Sequence, residues 1–227
     1  MSSQLDYPPR LNLARIPTPL QLLPRASKRW GAGKRLWMKR DDLTGSALTG
    51  NKIRKLEFIA AHALEQGLST LVTCGGVHSN HCRATALVAA QLGLDCHLVL
   101  RADDEPEQHT GNFLLDQLAG ASYEIWPAGE WAGNLKKIYA RLESEFKASG
   151  RPALMIPTGG SDSLGVWGYI AAAEELRWDL EERRIERAAL TLATGSAGTQ
   201  TGLSAGVAIF DLPLQVIGYA VCDDAEW

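Results

Sequence analysis

Residues 191–203 read TLATGSAGTQTGL, an apolar run that breaks into Gly195, Ser196, Ala197, Gly198 and Thr199 and then resumes with helical spacing. Strand, glycine-rich turn and helix form the repeating unit of α/β folds, whose ligands gather where strand C-termini meet helix N-termini. Glycines let a backbone turn its amides inward, hydroxyls add donors, and the start of a helix favours negative charge. The stretch therefore reads as a cradle for one phosphate ester, with Thr194 at its threshold. It is not a Walker A loop, because Thr199 and Gln200 stand where a lysine is needed, and it lacks the GxGxxG spacing of a dinucleotide site. A tight turn built from small residues for close packing is the plain alternative.

Two more junctions of this kind lie upstream. In CGGVHSNHCRATA (74–86), two glycines follow an apolar strand, and Ser79 and Asn80 stand at positions suited to capping a helix. Cys74, His78, His81 and Cys82 fall within nine residues, but the spacing matches no standard zinc pattern and one turn cannot surround an ion, so no metal is expected. Capping or surface histidines are the plain reading. In TGNKIRK (49–55), Lys52, Arg54 and Lys55 crowd the first turn of a helix, where cations are misplaced unless an anion arrives. Lys52 and Lys55 are one turn apart and can face one spot. A lysine near a phosphate site suggests an aldehyde cofactor held as a Schiff base, and spacing does not choose between the two amines.

Around these junctions the alternation is regular. Strands are predicted at 35–41, 69–74, 95–101, in ASYEIWP, in PALMIP, and at 187–194 and 214–221. Helices are predicted from residue 51 to Gly67, from Asn80 to Gly93, near 110–119, at 131–148, over LGVWGYIAAAEELRWDLEE and over TQTGLSAGVAIF. This predicts parallel sheets covered by helices on both faces. Five prolines among the first 30 residues predict an extended arm. The 227 residues carry a net charge of −3 with no long basic or acidic run, which argues against nucleic acid or an anionic membrane as partner. Four cysteines without a CxxC pair read as reduced thiols. With no signal-like or spanning segment, a cytoplasmic protein is expected.

Six stretches then resemble one family in order: LWMKRDDLTG, GNKIRKLEF, GGVHSNHCRATA, GNFLLDQLAGA, IPTGGSDSLGVWGYI and ATGSAGTQTGL. They look like the fold-type-II pyridoxal-phosphate enzymes, and within them the D-cysteine desulfhydrase and aminocyclopropane-carboxylate deaminase family. The resemblance implies that Lys52 carries pyridoxal 5'-phosphate, that Asn80 contacts its ring hydroxyl and that Ser79 faces the substrate. It implies that Gly195, Ser196, Ala197, Gly198 and Thr199 take the phosphate and that Gly159 and Gly160 lie beside the cofactor. His81 follows the Ser-Asn pair, as in desulfhydrase-like members, where deaminases usually show Gln; it is expected among the substrate contacts. Arg54 and Lys55 are expected to shape the local field.

The implied fold is two-lobed: residues 51–157 as a smaller lobe, and 1–50 with 158–227 as a larger one. Family members continue past LQVIGYAV, so the chain resembles a member lacking its C-terminal part. The implied reaction is β-elimination from a small amino acid such as D-cysteine, giving pyruvate, sulfide and ammonia. Ring-opening deamination of aminocyclopropane carboxylate and non-catalytic binding of a phosphate ester are the alternatives. A homodimer is expected of the full-length protein.

Overall fold

The computed structural model describes residues 5–104, 106 and 109–222; the tail 223–227, on which the expectation about the ending rests, lies outside them. The chain builds β1 (Leu20–Leu22), α1 (Pro24–Trp30), β2 (Trp37–Lys39), α2 (Lys52–Glu65), β3 (Thr70–Gly76), α3 (Asn80–Leu92), β4 (Asp95–Arg101) and α4 (Gly111–Leu118). There follow β5 (Ser122–Trp126), α5 (Ala128–Ala148), β6 (Ala153–Met155), α6 (Trp167–Glu182), β7 (Ala188–Thr194), α7 (Gly198–Ile209) and β8 (Leu214–Ala220).

One sheet runs β5-β4-β3-β6, all parallel, with Thr70 opposite both Asp95 and Ala153. β3 is buried through its first six residues because both faces are covered. On one side lie Ile53, Leu56 and Ile59 of α2, Ala84 and Val88 of α3 and Phe113 of α4. On the other, Trp131, Ile138 and Leu142 of α5 pack on Val72, Cys74 and Val99. A continuous apolar strand is the signature of such double coverage.

The second sheet pairs β7 and β8 in parallel, Thr191 opposite Ile217. Here the expectation of helices on both faces fails among the described residues. β7 alternates half-buried and exposed positions. Leu190 and Leu192 turn toward Tyr169, Leu176 and Leu203 of α6 and α7, and the small residues Ala189, Thr191 and Ala193 face outward. α6 and α2 touch backbone to backbone at Gly168, where a Cβ would lie 2.7 Å from Lys55 N.

The extended arm also needs correction. Pro24 opens α1 at a first-turn position, where its missing N–H costs nothing. Residues before it bend at Ala14 and Pro17 and are anchored: the Glu57 carboxylate accepts from Leu13 N (2.8 Å) and Ala14 N (2.7 Å), and the Thr18 amide donates to Glu175 at 2.6 Å. The arm thus crosses both α2 and α6.

Candidate functional site

Three strand-to-helix junctions converge. At the first, β3 ends at Gly76 and Ser79 caps α3, its Oγ accepting from the amides of His81 (3.2 Å) and Cys82 (3.3 Å). Gly75 makes this cap possible, since a Cβ there would sit 2.7 Å from Ser79 Oγ. Asn80, exposed beside it, donates through Nδ2 to Asn51 Oδ1 at 3.2 Å, which brings the start of α3 against the start of α2. Arg83 fastens the same contact by donating to Ala47 O (3.1 Å) and Thr49 O (2.7 Å), just before Lys52.

The three cations of α2 part company. Arg54 turns away from the junctions. Its guanidinium donates to Asp41 (3.0 and 2.8 Å), Glu175 (2.8 Å) and Thr18 Oγ1 (2.9 Å), and Tyr169 adds a hydroxyl bond to Asp41 at 2.7 Å. Burial opposes its charge, but Glu175 and Asp41 more than offset this and hold its pKa above the ordinary arginine value. The expectation that it shapes the field of a site is therefore corrected: its anions come from the protein. Lys52 is half-buried, and burial lowers its pKa, with the Cys222 thiol opposing. Lys55 is 1% exposed, and its Nζ donates to Gly159 O (3.0 Å) and Ser161 Oγ (3.1 Å). Burial, then the like charge of Lys52, push its pKa down to about 7, with Asp162 opposing.

The third junction meets this one. After β7, Ala197 adopts a left-handed backbone (φ 59°) and α7 begins at Gly198. Thr201 N is bonded back to Ala197 O at 2.9 Å, which leaves the amides of Thr199 and Gln200 without partners in their own helix. Ser196 Oγ lies 2.7 Å from Ser161 Oγ, and a Cβ on Gly159 would come within 2.5 Å of Ser196 Oγ. A Cβ on Gly198 would strike Ser161 Oγ and lie 2.8 Å from Lys55 Nζ, and one on Gly195 would lie 2.5 Å from Cys222 Sγ, the thiol that also faces Lys52. A groove of about 400 Å³, lined by Thr158, Ser161, Ser196 and Tyr139 among others, opens beside the hydroxyl pair.

Of the residues singled out from sequence, Lys52, Asn80, Ser79, Gly159, Gly160 and the 195–199 loop are brought together. His81 is elsewhere. It is 2% exposed, with its ring under Gly160 and Nε2 2.9 Å from Thr73 Oγ1, so it supports the junction from within and does not line an open cleft. Thr73 spends its one hydroxyl proton on Ile156 O (3.1 Å), which makes His81 Nε2 the donor and leaves Nδ1 an acceptor without a partner. Burial, then Lys52 and Lys55, push the His81 pKa down to about 3. Sequence reasoning missed Ser161 and Arg83. Ser161 follows Gly159-Gly160 directly and could have been read as a further hydroxyl donor.

Residues 11–223 match the model of the family described as pyridoxal-phosphate dependent enzyme, and the chain belongs to that family. It has the α/β architecture of fold type II. It is 39% identical over 229 residues to a bifunctional D-cysteine desulfhydrase/1-aminocyclopropane-1-carboxylate deaminase of Arabidopsis thaliana, covering 95% of this chain and 55% of that protein. It is 41% identical to a D-cysteine desulfhydrase of Klebsiella pneumoniae, covering 94% of this chain and 64% of that protein. A crystallised homologue of ACC deaminase superposes with a TM-score of 0.83 at 38% identity, covering 94% of this chain and 63% of that one. The chain thus spans between half and two thirds of the length of these relatives.

The residues present fit the family's cofactor. A Cβ on Gly159 or Gly198 would strike the paired Ser196 and Ser161 hydroxyls, the amides of Thr199 and Gln200 stand without helix partners at the start of α7, and Lys52, a half-buried amine, faces the Cys222 thiol that packs against Gly195. No helix among the described residues is long and apolar enough to cross a membrane.

Proposed function

We propose that the chain carries the cofactor-binding part of a pyridoxal-phosphate lyase that removes a β-substituent from a small amino acid, with D-cysteine as the leading substrate. The single observation that carries this reading is the convergence of Lys52 with the hydroxyl-and-glycine loops at 159–161 and 195–199. Lys52 would hold the cofactor's aldehyde, and the amides of Thr199 and Gln200, with Ser196, would hold its phosphate. Asn80, fixed against Asn51, would take the ring hydroxyl. Bound there, the cofactor supplies an aromatic ring that takes up the electron pair left at the substrate's α-carbon.

Lys52, whose burial favours the unprotonated amine, would serve as the base for the substrate's α-proton. Ser79 accepts two amides of its own helix and lies beside the Cys82 thiol, and its hydroxyl stands at the positive end of α3, where it would meet the substrate carboxylate. His81 and Thr73 support this end of the helix from below. The reading keeps the division into a smaller lobe (51–157) and a larger one (1–50 with 158–227), between which the cofactor would lie. The reading extends to a homodimer in the cytoplasm.

Mixing the protein with pyridoxal phosphate and then borohydride should add the cofactor's mass to the peptide bearing Lys52, and Lys52→Ala should abolish the addition. Labelling that survives in the variant would contradict the assignment. The relatives' names favour a second reading, ring-opening deamination. Parallel assays for sulfide from D-cysteine and ketobutyrate from aminocyclopropane carboxylate separate the two.

A further inference from the structure

Lys55 brings a buried amine to the meeting point of three loops, and the reaction above makes no use of it. Its two hydrogen bonds go to neutral oxygens, Gly159 O and Ser161 Oγ, and it abuts Gly198 of the loop assigned to the phosphate. The titratable groups facing it are Lys52 on its own helix, His81 on α3 and Asp162 beyond Gly160. Lys52 repels a second cation. His81 is neutral at ordinary pH, its pKa lying at about 3. Asp162 takes the amides of Leu164 (3.1 Å) and Gly165 (2.7 Å) on Oδ1 and acts on Lys55 only at a distance, as the weakest of the influences on it. Among the described residues, no carboxylate forms an ion pair with Lys55.

A buried cation without a counter-charge is costly, and the cost is relieved by losing a proton or by gaining an anion. We propose that Lys55 is a proton-accepting counter-ion of the cradle, a neutral amine without an anion and an ammonium with one, so that binding of a phosphate or sulfate dianion takes up one proton from solvent. The inference rests on the reading of the 195–199 loop as a phosphate cradle. The depressed pKa of Lys55, about 7, is in keeping with it.

Sulfate is the probe, since it neither titrates above neutral pH nor reacts with Lys52. Its affinity is read from the rise in thermal midpoint of the full chain against chloride at equal ionic strength. Between pH 7.5 and 9, affinity should fall about tenfold per pH unit, as uptake of one proton requires. Lys55→Gln, which can still donate to Gly159 O, should bind sulfate more weakly at pH 7.5 and with no pH slope; Lys55→Met should do the same should the first variant not fold. A flat profile in the unaltered protein, or the same slope in the variants, overturns the proposal. Trapping of pyridoxal phosphate on Lys52 alongside flat sulfate binding removes this proposal alone. Failure of both sulfate binding and trapping removes the cradle as well.

Discussion

Arg54 and Lys55 are neighbours on α2, at 0% and 1% exposure, and they resolve the same difficulty in opposite ways. Arg54 meets two carboxylates, a threonine hydroxyl and, through Asp41, a tyrosine. Its charge is satisfied inside the protein and ties the N-terminal arm and α6 to α2. Lys55 meets a carbonyl and a serine hydroxyl, and its charge is left for something else to satisfy. Burial alone therefore does not distinguish a structural cation from a functional one; the identity of the partners does.

The sharpest way to break this contrast is to remove both charges in turn. Arg54→Met leaves Asp41 and Glu175 without their partner and should cost about 3–5 kcal/mol in urea unfolding, the range for breaking a buried ion pair from one side. Lys55→Met should cost far less, because no carboxylate loses a partner. Equal losses from the two variants would dissolve the distinction.

A pH series sharpens it. Lys55 has a folded pKa of about 7, and in the unfolded chain a lysine titrates near 10.4. Between those values the unfolded chain holds the extra proton, so Lys55 should make stability rise with pH, by at most about 1.4 kcal/mol per unit, and contribute no slope below pH 7. Lys55→Met should remove that rise.

Asp116 is the acidic counterpart. It is buried with neither carboxylate oxygen partnered, and burial raises its pKa to about 7 against the opposing charge of Arg83. The folded protein then holds the extra proton between pH 4 and 7, so this group should make stability fall as pH rises through that window, by about 1 kcal/mol per unit. Asp116→Asn should flatten the fall in a denaturant series at pH 4.5, 5.5 and 6.5. The smallest effect calibrates the rest: Ser79→Ala removes a neutral cap and should cost about 1 kcal/mol in the same assay.

Much of this architecture was legible in the sequence because local signals agree with tertiary ones. The buried strand at 70–76, the cap at Ser79 and the stop at Gly93, which takes φ 70°, are all written within a few residues of where they act. Helix α1 is hidden in the sequence because proline breaks a helix at most positions, whereas Pro24 stands where a helix tolerates it. The one-sided second sheet was legible in the alternation of AALTLAT, which a reading by apolar content alone overlooks. At the site, Lys52 and Lys55 stand out together in the sequence because i,i+3 spacing puts both on one helix face. What separates them from Arg54 was not legible: Asp41 and Glu175 lie 13 and 121 residues away in the chain. The same holds for His81, whose burial beneath Gly160 depends on a contact across 79 positions of sequence (160 minus 81).

The division of labour on α2 has one direct test. Borohydride reduction of the protein with bound pyridoxal phosphate, followed by peptide mass analysis, should place the added mass on Lys52 and leave Lys55 unmodified. Mass on Lys55, or on neither amine, would contradict the account.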